Sequence, residues 1–255
     1  MTRRENFPVY SYLPRVILGL ALNVVFGGRR SFHRDSQVCI GRLKPSLHVF
    51  GKKNIPQAGP CLITFNHYYR LGFDAWWMAL ALAAVVPVEI HFVMTGELTF
   101  PGKWYAPVGM FGSRLLLRRL ARLYGFTTMP PMPPRPGDVA ERARSVRQAL
   151  SFVCHNPQAI IGLAPEGGDQ LGGVLTLPPA GAGRFISLLA ASGLRIVPVG
   201  IYEQYGALCL NFGQGYDLEF RCDLSLGERD HAIASTVMCK IAALLPIALR
   251  GVFAG

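Results

Sequence analysis

Short apolar runs, many of them bounded by glycine, proline or asparagine, alternate along the chain with longer stretches of helical character. The runs predict strands at 47–50, 61–65, 90–94, 159–163, 196–202 and 207–212. The intervening stretches predict helices at 73–86, 113–124, 138–155, 183–191 and 228–245. This alternation is typical of a layered α/β fold with a mostly parallel or mixed sheet flanked by helices. The length of 255 residues favours a single such domain.

Two loops stand out between these elements. Residues 129–136 hold five prolines in eight positions, and proline continues neither a helix nor a central strand, so this segment is an extended loop. Residues 165–179 form a glycine-rich loop after the strand predicted at 159–163.

The N-terminal segment carries an apolar run at 16–27 with arginines on both sides. Its twelve residues make a helix of ~18 Å, which is short against a hydrocarbon core of ~30 Å. A signal peptide is disfavoured because Arg29 and Arg30 follow at once and no A-x-A cleavage site is visible. We predict an amphipathic, membrane-associating segment over 1–44, with Arg15, Arg29 and Arg30 meeting anionic lipid. The alternative is a helix docked on the protein's own core.

Composition and charge support a folded protein with an anionic partner. Apolar residues make up 51% and charged residues 16%, with a mean hydropathy of +0.29, which excludes a disordered chain. The net charge is +11, concentrated in two blocks. Residues 1–53 carry ten basic and two acidic groups, and residues 103–147 carry nine and two. Nucleic acid, phosphate substrates and a membrane surface all fit this charge, but no nucleic-acid motif is present, so we expect no nucleic acid partner.

The six cysteines contain no C-x-x-C pair, which disfavours a zinc or redox motif. Most lie among apolar residues, as buried cysteines do. We therefore expect a reducing compartment, at the cytoplasmic face of a membrane, with a peripheral or monotopic attachment.

The first candidate for chemistry follows the strand predicted at 61–65, where the chain reads NHYYRLGFD. Asp74 can hold one ring nitrogen of His67, which leaves the other to accept a proton from a hydroxyl. The simpler interpretation is a lone histidine at a strand end, with Asp74 as a helix N-cap.

The second candidate follows the strand predicted at 159–163 and reads APEGGD. Glu166 places a carboxylate where α/β folds build their sites, and Gly167 and Gly168 let a ligand approach the backbone closely. A plain surface turn explains the same residues.

Taken together, these motifs resemble the PlsC-like glycerolipid and lysophospholipid acyltransferases. The matching segments read LHVFG, NIP, GP, NH, PEG and IVPVG, at 47–51, 54–56, 59–60, 66–67, 165–167 and 196–200. Their order and spacing make a specific set over roughly 45–205, so we assign residues 45–255 to an acyltransferase domain.

The resemblance implies a reaction and its residues. His67 would be the general base that lets a lipid hydroxyl attack an acyl thioester, and Asp74 would orient it. Glu166 of the Pro-Glu-Gly motif would help bind the acceptor. By their positions near the two motifs and the loops, Asn66, Gly167, Gly168, Arg135 and Arg184 are further candidate substrate-binding residues. The donor would be acyl-CoA or the thioester of an acyl carrier protein, which would then be a partner. The acceptor would be a lysophospholipid, glycerol-phosphate or related lipid. No metal and no other cofactor is implied.

The chain departs from the family pattern in three places. Asp74 comes seven residues after His67, where the family has its aspartate at the fifth position. Asp169 stands where the family often has an arginine, and the segment 125–130 lacks another, the nearest being Arg135. Because those arginines are linked to phosphate recognition, their absence disfavours glycerol-phosphate acceptors.

The helix predicted at 113–124 interleaves arginines with leucines. Arg118 and Arg122, with Arg114 and Arg119, can meet lipid headgroups, a carrier protein or the phosphates of coenzyme A. A solvated basic face over a leucine core is the alternative. For the whole protein, a non-catalytic lipid-binding homologue and a hydrolase that passes the acyl group to water stay open.

Overall fold

Helices and strands alternate over most of the chain, as the hydropathy pattern predicts. The computed structural model describes residues 7–100, 102–132, 135–168, 171–219 and 223–254. The helices in these ranges are α1 (Pro14–Phe26), α2 (Phe32–Ile40), α3 (Trp76–Val85), α4 (Ala106–Tyr124), α5 (Val139–His155), α6 (Ala182–Ala191) and α7 (Leu226–Ala242). The strands are β1 (His48–Phe50), β2 (Cys61–Phe65), β3 (His91–Thr95), β4 (Thr127–Met129), β5 (Ile160–Leu163), β6 (Arg195–Gln204) and β7 (Ala207–Phe212).

The strands form one sheet in the order β1-β7-β6-β2-β5-β3-β4. Every neighbouring pair is parallel except β6 and β7, which are consecutive and antiparallel. The predicted α/β fold with a mostly parallel sheet flanked by helices is confirmed.

The centre of the sheet is apolar on both faces. All five residues of β2 and all four of β5 are buried, as expected for parallel strands with both faces covered. Helix α3 is apolar on every side, which suits a helix enclosed by the core. These buried strands fix the positions of the loops that leave them.

The fourth helix is longer than the sequence suggests. It begins at Ala106, and the predicted start at Ser113 is wrong. Pro107 lies in the first turn, where proline is compatible with a helix, and the glycines that follow obscure the helical pattern. The Ser113 hydroxyl instead donates to the Met110 carbonyl and accepts the Leu98 N–H. Helix α2 and strand β4 were not predicted.

The N-terminal apolar run forms helix α1, and none of the residues of this helix is buried. Leu20 and Val24 pack against a small cluster formed by Leu117, Leu120 and Leu123 of α4. Among the described residues, no helix has the length and hydrophobicity needed to cross a bilayer. The association of α1 with a membrane and the boundary between residues 44 and 45 stay predictions.

Candidate active site

The two sequence motifs meet at the carboxyl edge of the sheet. Strands β2 and β5 are parallel neighbours, and Thr64 pairs with Leu163. His67 and Glu166 each follow three residues after this pair. Because parallel strands end at the same edge, their loops emerge side by side.

Glu166 joins these loops directly. Its Oε2 accepts the backbone N–H of His67 at 2.8 Å, and its Oε1 accepts the N–H of Thr176 at 3.0 Å. The side chain is buried. Burial raises the pKa of the Glu166 carboxyl, while the two N–H groups and the nearby His67 ring favour its charged form. The carboxylate therefore fixes the backbone of the His67 loop.

Asn66 fixes the same loop from its other side. Its Nδ2 donates to the Ile201 carbonyl at 2.8 Å, and its Oδ1 accepts the Ile201 N–H at 2.7 Å. Asn66 has no exposed surface. Its side chain thus extends the pairing of β2 with β6 by one step. His67, the next residue in the chain, is half-buried.

The glycine-rich loop approaches the His67 loop closely. Gly173 has φ +66°, and a Cβ there would lie 2.8 Å from the Tyr69 carbonyl oxygen. Gly167 has φ +73°, and a Cβ there would lie 3.1 Å from Met132 in the proline-rich loop. A Cβ on Gly168 would have open space around it. Asp169 lies outside the described residues. Three loops therefore converge at this edge.

A buried ion pair that sequence reasoning missed supports the His67 loop. Both oxygens of Glu203, at the end of β6, accept from the Arg70 guanidinium. The same carboxylate accepts the hydroxyls of Tyr10 at 2.6 Å and Tyr68 at 3.1 Å. Arg70 also lies over the ring of Phe7, 3.9 Å from its centroid. No sequence signal links these residues, because Arg70 and Glu203 are 133 positions apart.

Asp74 lies apart from this network. It is exposed on the turn before α3, where its carbonyl accepts the Trp77 N–H. Its charge acts on Tyr12, whose pKa burial and Asp74 together raise to about 12. Within the part of the chain that the structure describes, no hydrogen bond joins the Asp74 carboxylate to His67. The orientation of His67 by Asp74 stays a prediction.

Arg135 takes part in a second carboxylate-centred cluster. Glu97 is buried, and it accepts from Arg135 at 2.6 Å and from Arg114 at 2.7 Å. Burial alone would raise the pKa of Glu97, but the hydrogen bonds and charges of the two arginines outweigh it and lower the pKa. Both guanidiniums remain about two-fifths exposed. Arg135 therefore presents donors to solvent from a fixed position, and sequence reasoning missed Glu97.

The other predicted arginines lie elsewhere. Arg184 is on α6, where its backbone N–H donates to the Asp230 carboxylate of α7 at 2.6 Å. Arg30 donates to both oxygens of Asp35, and Arg118 pairs with Glu141. Among the described residues, the guanidiniums left without a carboxylate partner include those of Arg15, Arg29 and Arg122, which are exposed.

An α/β sheet with a histidine and a Pro-Glu-Gly turn at one edge is the arrangement that the sequence resemblance predicts. The Acyltransferase family model matches residues 46–202, which hold both motifs, and the chain belongs to this family. Among the solved structures that match is the 1-acyl-sn-glycerophosphate (LPA) acyltransferase PlsC from Thermotoga maritima. It is 12% identical with a TM-score of 0.49, and the match covers 91% of this chain and 84% of that one. No curated protein sequence matches this chain.

Proposed function

We propose that this protein transfers a fatty acyl group from an acyl thioester to a hydroxyl of a lipid acceptor, with His67 as the general base. The observation that carries the proposal is the hydrogen bond from the His67 N–H to Glu166. It joins the NH and PEG segments, two of those that carry the family resemblance, at the sheet edge where parallel α/β folds place their sites.

The proposed chemistry needs one proton transfer and one displacement. A ring nitrogen of His67 takes the proton of the acceptor hydroxyl while that oxygen attacks the thioester carbonyl. The new C–O bond forms, the C–S bond breaks, and the thiolate leaves with the proton that His67 accepted. The Glu166 carboxylate, held against the His67 backbone N–H, supplies a negative charge that would stabilise the imidazolium.

The acceptor class follows from the cation near these loops. Arg135 pairs with Glu97 at 2.6 Å and with Asp138 at 3.5 Å, and its side chain is still about two-fifths exposed, so an anion can reach it. Its proline-rich segment touches the Pro-Glu-Gly turn through Met132. We propose a lysophospholipid or a related lipid with an anionic headgroup as acceptor. Glycerol-phosphate is disfavoured because the arginines expected at two family positions are absent.

Because the proposed acceptor is a lipid, we propose that the reaction takes place at a membrane surface, on its cytoplasmic face. Helix α1 exposes apolar side chains such as Leu18 and Phe26, with Arg15 in its first turn and Arg29 just after its end. Leu71, four residues after His67, is 89% exposed. These features fit a peripheral or monotopic attachment through α1.

The test is product formation from a long-chain acyl-CoA with different acceptors in the presence of liposomes. Lysophosphatidic acid, lysophosphatidylcholine, lysophosphatidylglycerol and glycerol-3-phosphate are supplied singly, and the acylated product is identified by mass. We expect thiol release that depends on a lysolipid and a product heavier by one acyl group. Equal release without any acceptor would point to hydrolysis instead. A parallel series with an acyl carrier protein thioester decides the donor.

A non-catalytic lipid-binding protein of the same fold is the second candidate. The seven-residue spacing from His67 to Asp74 and the absence of arginine from 125–130 favour it, because both depart from the pattern of the catalytic family. Vesicle binding without product from either donor series would support this candidate.

A further inference from the structure

Helix α4 presents an apolar stripe to solvent. Trp104, just before the helix, and Val108, Phe111 and Leu115 within it are 92%, 77%, 72% and 45% exposed. Their spacing of four, three and four residues places them on one face, which we call the outer stripe. The buried Leu117 and Leu120 lie on the other side, against α1.

The same face changes character along the helix. Arg119 follows Leu115 by four residues and Arg122 by seven, so both continue the stripe toward the carboxyl end. Both are exposed, and neither has a carboxylate partner among the described residues. This face of α4 is therefore apolar and aromatic in its first turns, where the outer stripe lies, and basic in its last turns.

The charges around α4 indicate what kind of partner this face of the helix binds. Between Glu97 and Asp138 the chain carries six basic residues and no acidic one. An exposed tryptophan and phenylalanine beside clustered arginines fit the boundary between headgroups and acyl chains of an anionic bilayer. Helix α1, which packs on α4, exposes apolar side chains of its own. A solvated surface does not account for a contiguous stripe of large apolar residues.

We propose that α4 is a second membrane contact, with Trp104, Val108, Phe111 and Leu115 inserted among the lipids and Arg119 and Arg122 bound to lipid phosphates. The amino end of α4 lies deeper than its carboxyl end, because the apolar residues come first.

This contact also places the site, and in this respect the inference rests on the proposed function. Arg114 of α4 donates to Glu97, which holds Arg135. The proline-rich loop reaches Gly167 through Met132, and the neighbouring Glu166 holds the His67 N–H. An α4 seated in the bilayer therefore holds these loops at the level where a lysolipid headgroup lies.

The first test is flotation with phosphatidylcholine vesicles, with and without phosphatidylglycerol. Phe111→Asp combined with Leu115→Asp is compared with Ile247→Asp, which alters an apolar side chain that is 73% exposed in the C-terminal segment. We expect the stripe variant to lose at least about tenfold in partitioning and the control to stay near wild type. Arg119→Gln with Arg122→Gln should lose the preference for anionic vesicles.

The second test reports depth. Tryptophan emission of the wild type should shift to the blue on vesicles and be quenched by lipids brominated in their acyl chains. Trp104→Phe should lose most of this response while it still binds.

The outcomes separate the inference from the proposed function. Acyl transfer is measured without vesicles, using a short-chain acyl-CoA and monomeric lysolipid, and should be the same in the stripe variant and wild type. Loss of vesicle binding with no transfer in any protein would sustain the membrane contact and defeat the proposed function. Stripe variants that bind vesicles like wild type, or that change only the oligomeric state, would overturn the inference.

Discussion

The backbone N–H of His67 donates a 2.8 Å hydrogen bond to the carboxylate of Glu166, a residue 99 positions further along the chain. The two residues follow neighbouring parallel strands, so the bond ties together the two loops that carry the sequence motifs. The position of the proposed base therefore depends on a buried carboxylate whose two oxygens both accept backbone N–H groups.

Replacing Glu166 by Gln should therefore weaken both fold and activity. The glutamine side chain has one oxygen that can accept, where both oxygens of Glu166 now accept a backbone N–H. Its NH₂ group would therefore face the N–H of either His67 or Thr176. We expect a loss of about 1–3 kcal/mol in the free energy of unfolding, measured with urea, and a fall in kcat larger than any rise in KM. Glu228→Gln is the control, because glutamine also serves in the capping box that Glu228 forms with Ser225. Unchanged kcat in Glu166→Gln would mean that this bond does not position His67.

The Arg70–Glu203 pair should show the cost of an uncompensated buried charge. The Glu203 side chain is 1% exposed, so Arg70→Met leaves its carboxylate without its cation at a cost of about 3–5 kcal/mol. Adding Glu203→Gln should restore part of this loss, because the double variant has no isolated charge. Denaturant unfolding of both singles and the double gives the coupling. A double variant as unstable as the sum of the singles would show that the pair is not coupled.

His91 should make the fold sensitive to acid. It is buried, and its ring stacks on Phe152 with 3.9 Å between the ring centroids. Its Nε2 lies in hydrogen-bond contact with the Thr127 hydroxyl at 2.8 Å. Burial lowers its pKa from 6.5 to about 4. Between these values the unfolded chain binds more protons, so stability is complete above about 6.5 and falls by up to about 3 kcal/mol as the pH approaches 4.

The measurement for His91 is the pH dependence of urea unfolding. His91→Gln keeps a polar group near the Thr127 hydroxyl but does not titrate, so its stability should fall less steeply over this range. His155→Gln alters an exposed histidine and should follow the wild type. Identical slopes for His91→Gln and wild type would contradict the assignment.

Asp74→Asn tests the base-and-orienter pair directly. Because Asp74 is exposed beside Tyr12, we expect this variant to lose less activity than His67→Ala, whose loss should be about 10²-fold or more. The readout is kcat with the acceptor saturating. A loss in Asp74→Asn as large as in His67→Ala would instead establish that Asp74 orients His67 during the reaction.

The sequence predicted the strands at the site because β2, β5 and β6 are apolar runs with clear ends. Buried parallel strands leave that signature without any need for tertiary information. The start of α4 was missed because Pro107, Gly109 and Gly112 hide a helix whose exposed face is apolar. A helix with apolar residues on two faces has no clear periodicity.

The polar contacts that shape the site could not be predicted in the same way. Glu203 meets Arg70, and Glu97 meets Arg135, only because the sheet order brings distant loops together. His67 and Glu166 were identified from their motifs, but the bond between them required the register of β2 with β5. The bonds of the buried Asn66 side chain to Ile201 likewise needed the register of β2 with β6, and a contact of Asn66 with substrate stays a prediction.

The most direct test of the account is acylated lysolipid formation by His67→Ala beside His155→Ala. Both variants remove one histidine, from the candidate site and from the exposed end of α5. Product is quantified by mass from a long-chain acyl-CoA and a lysolipid on liposomes, after unfolding curves show that both variants are folded. The account predicts product from wild type and His155→Ala, and a loss of about 10²-fold or more in His67→Ala. Equal product from the two variants would contradict His67 as the base.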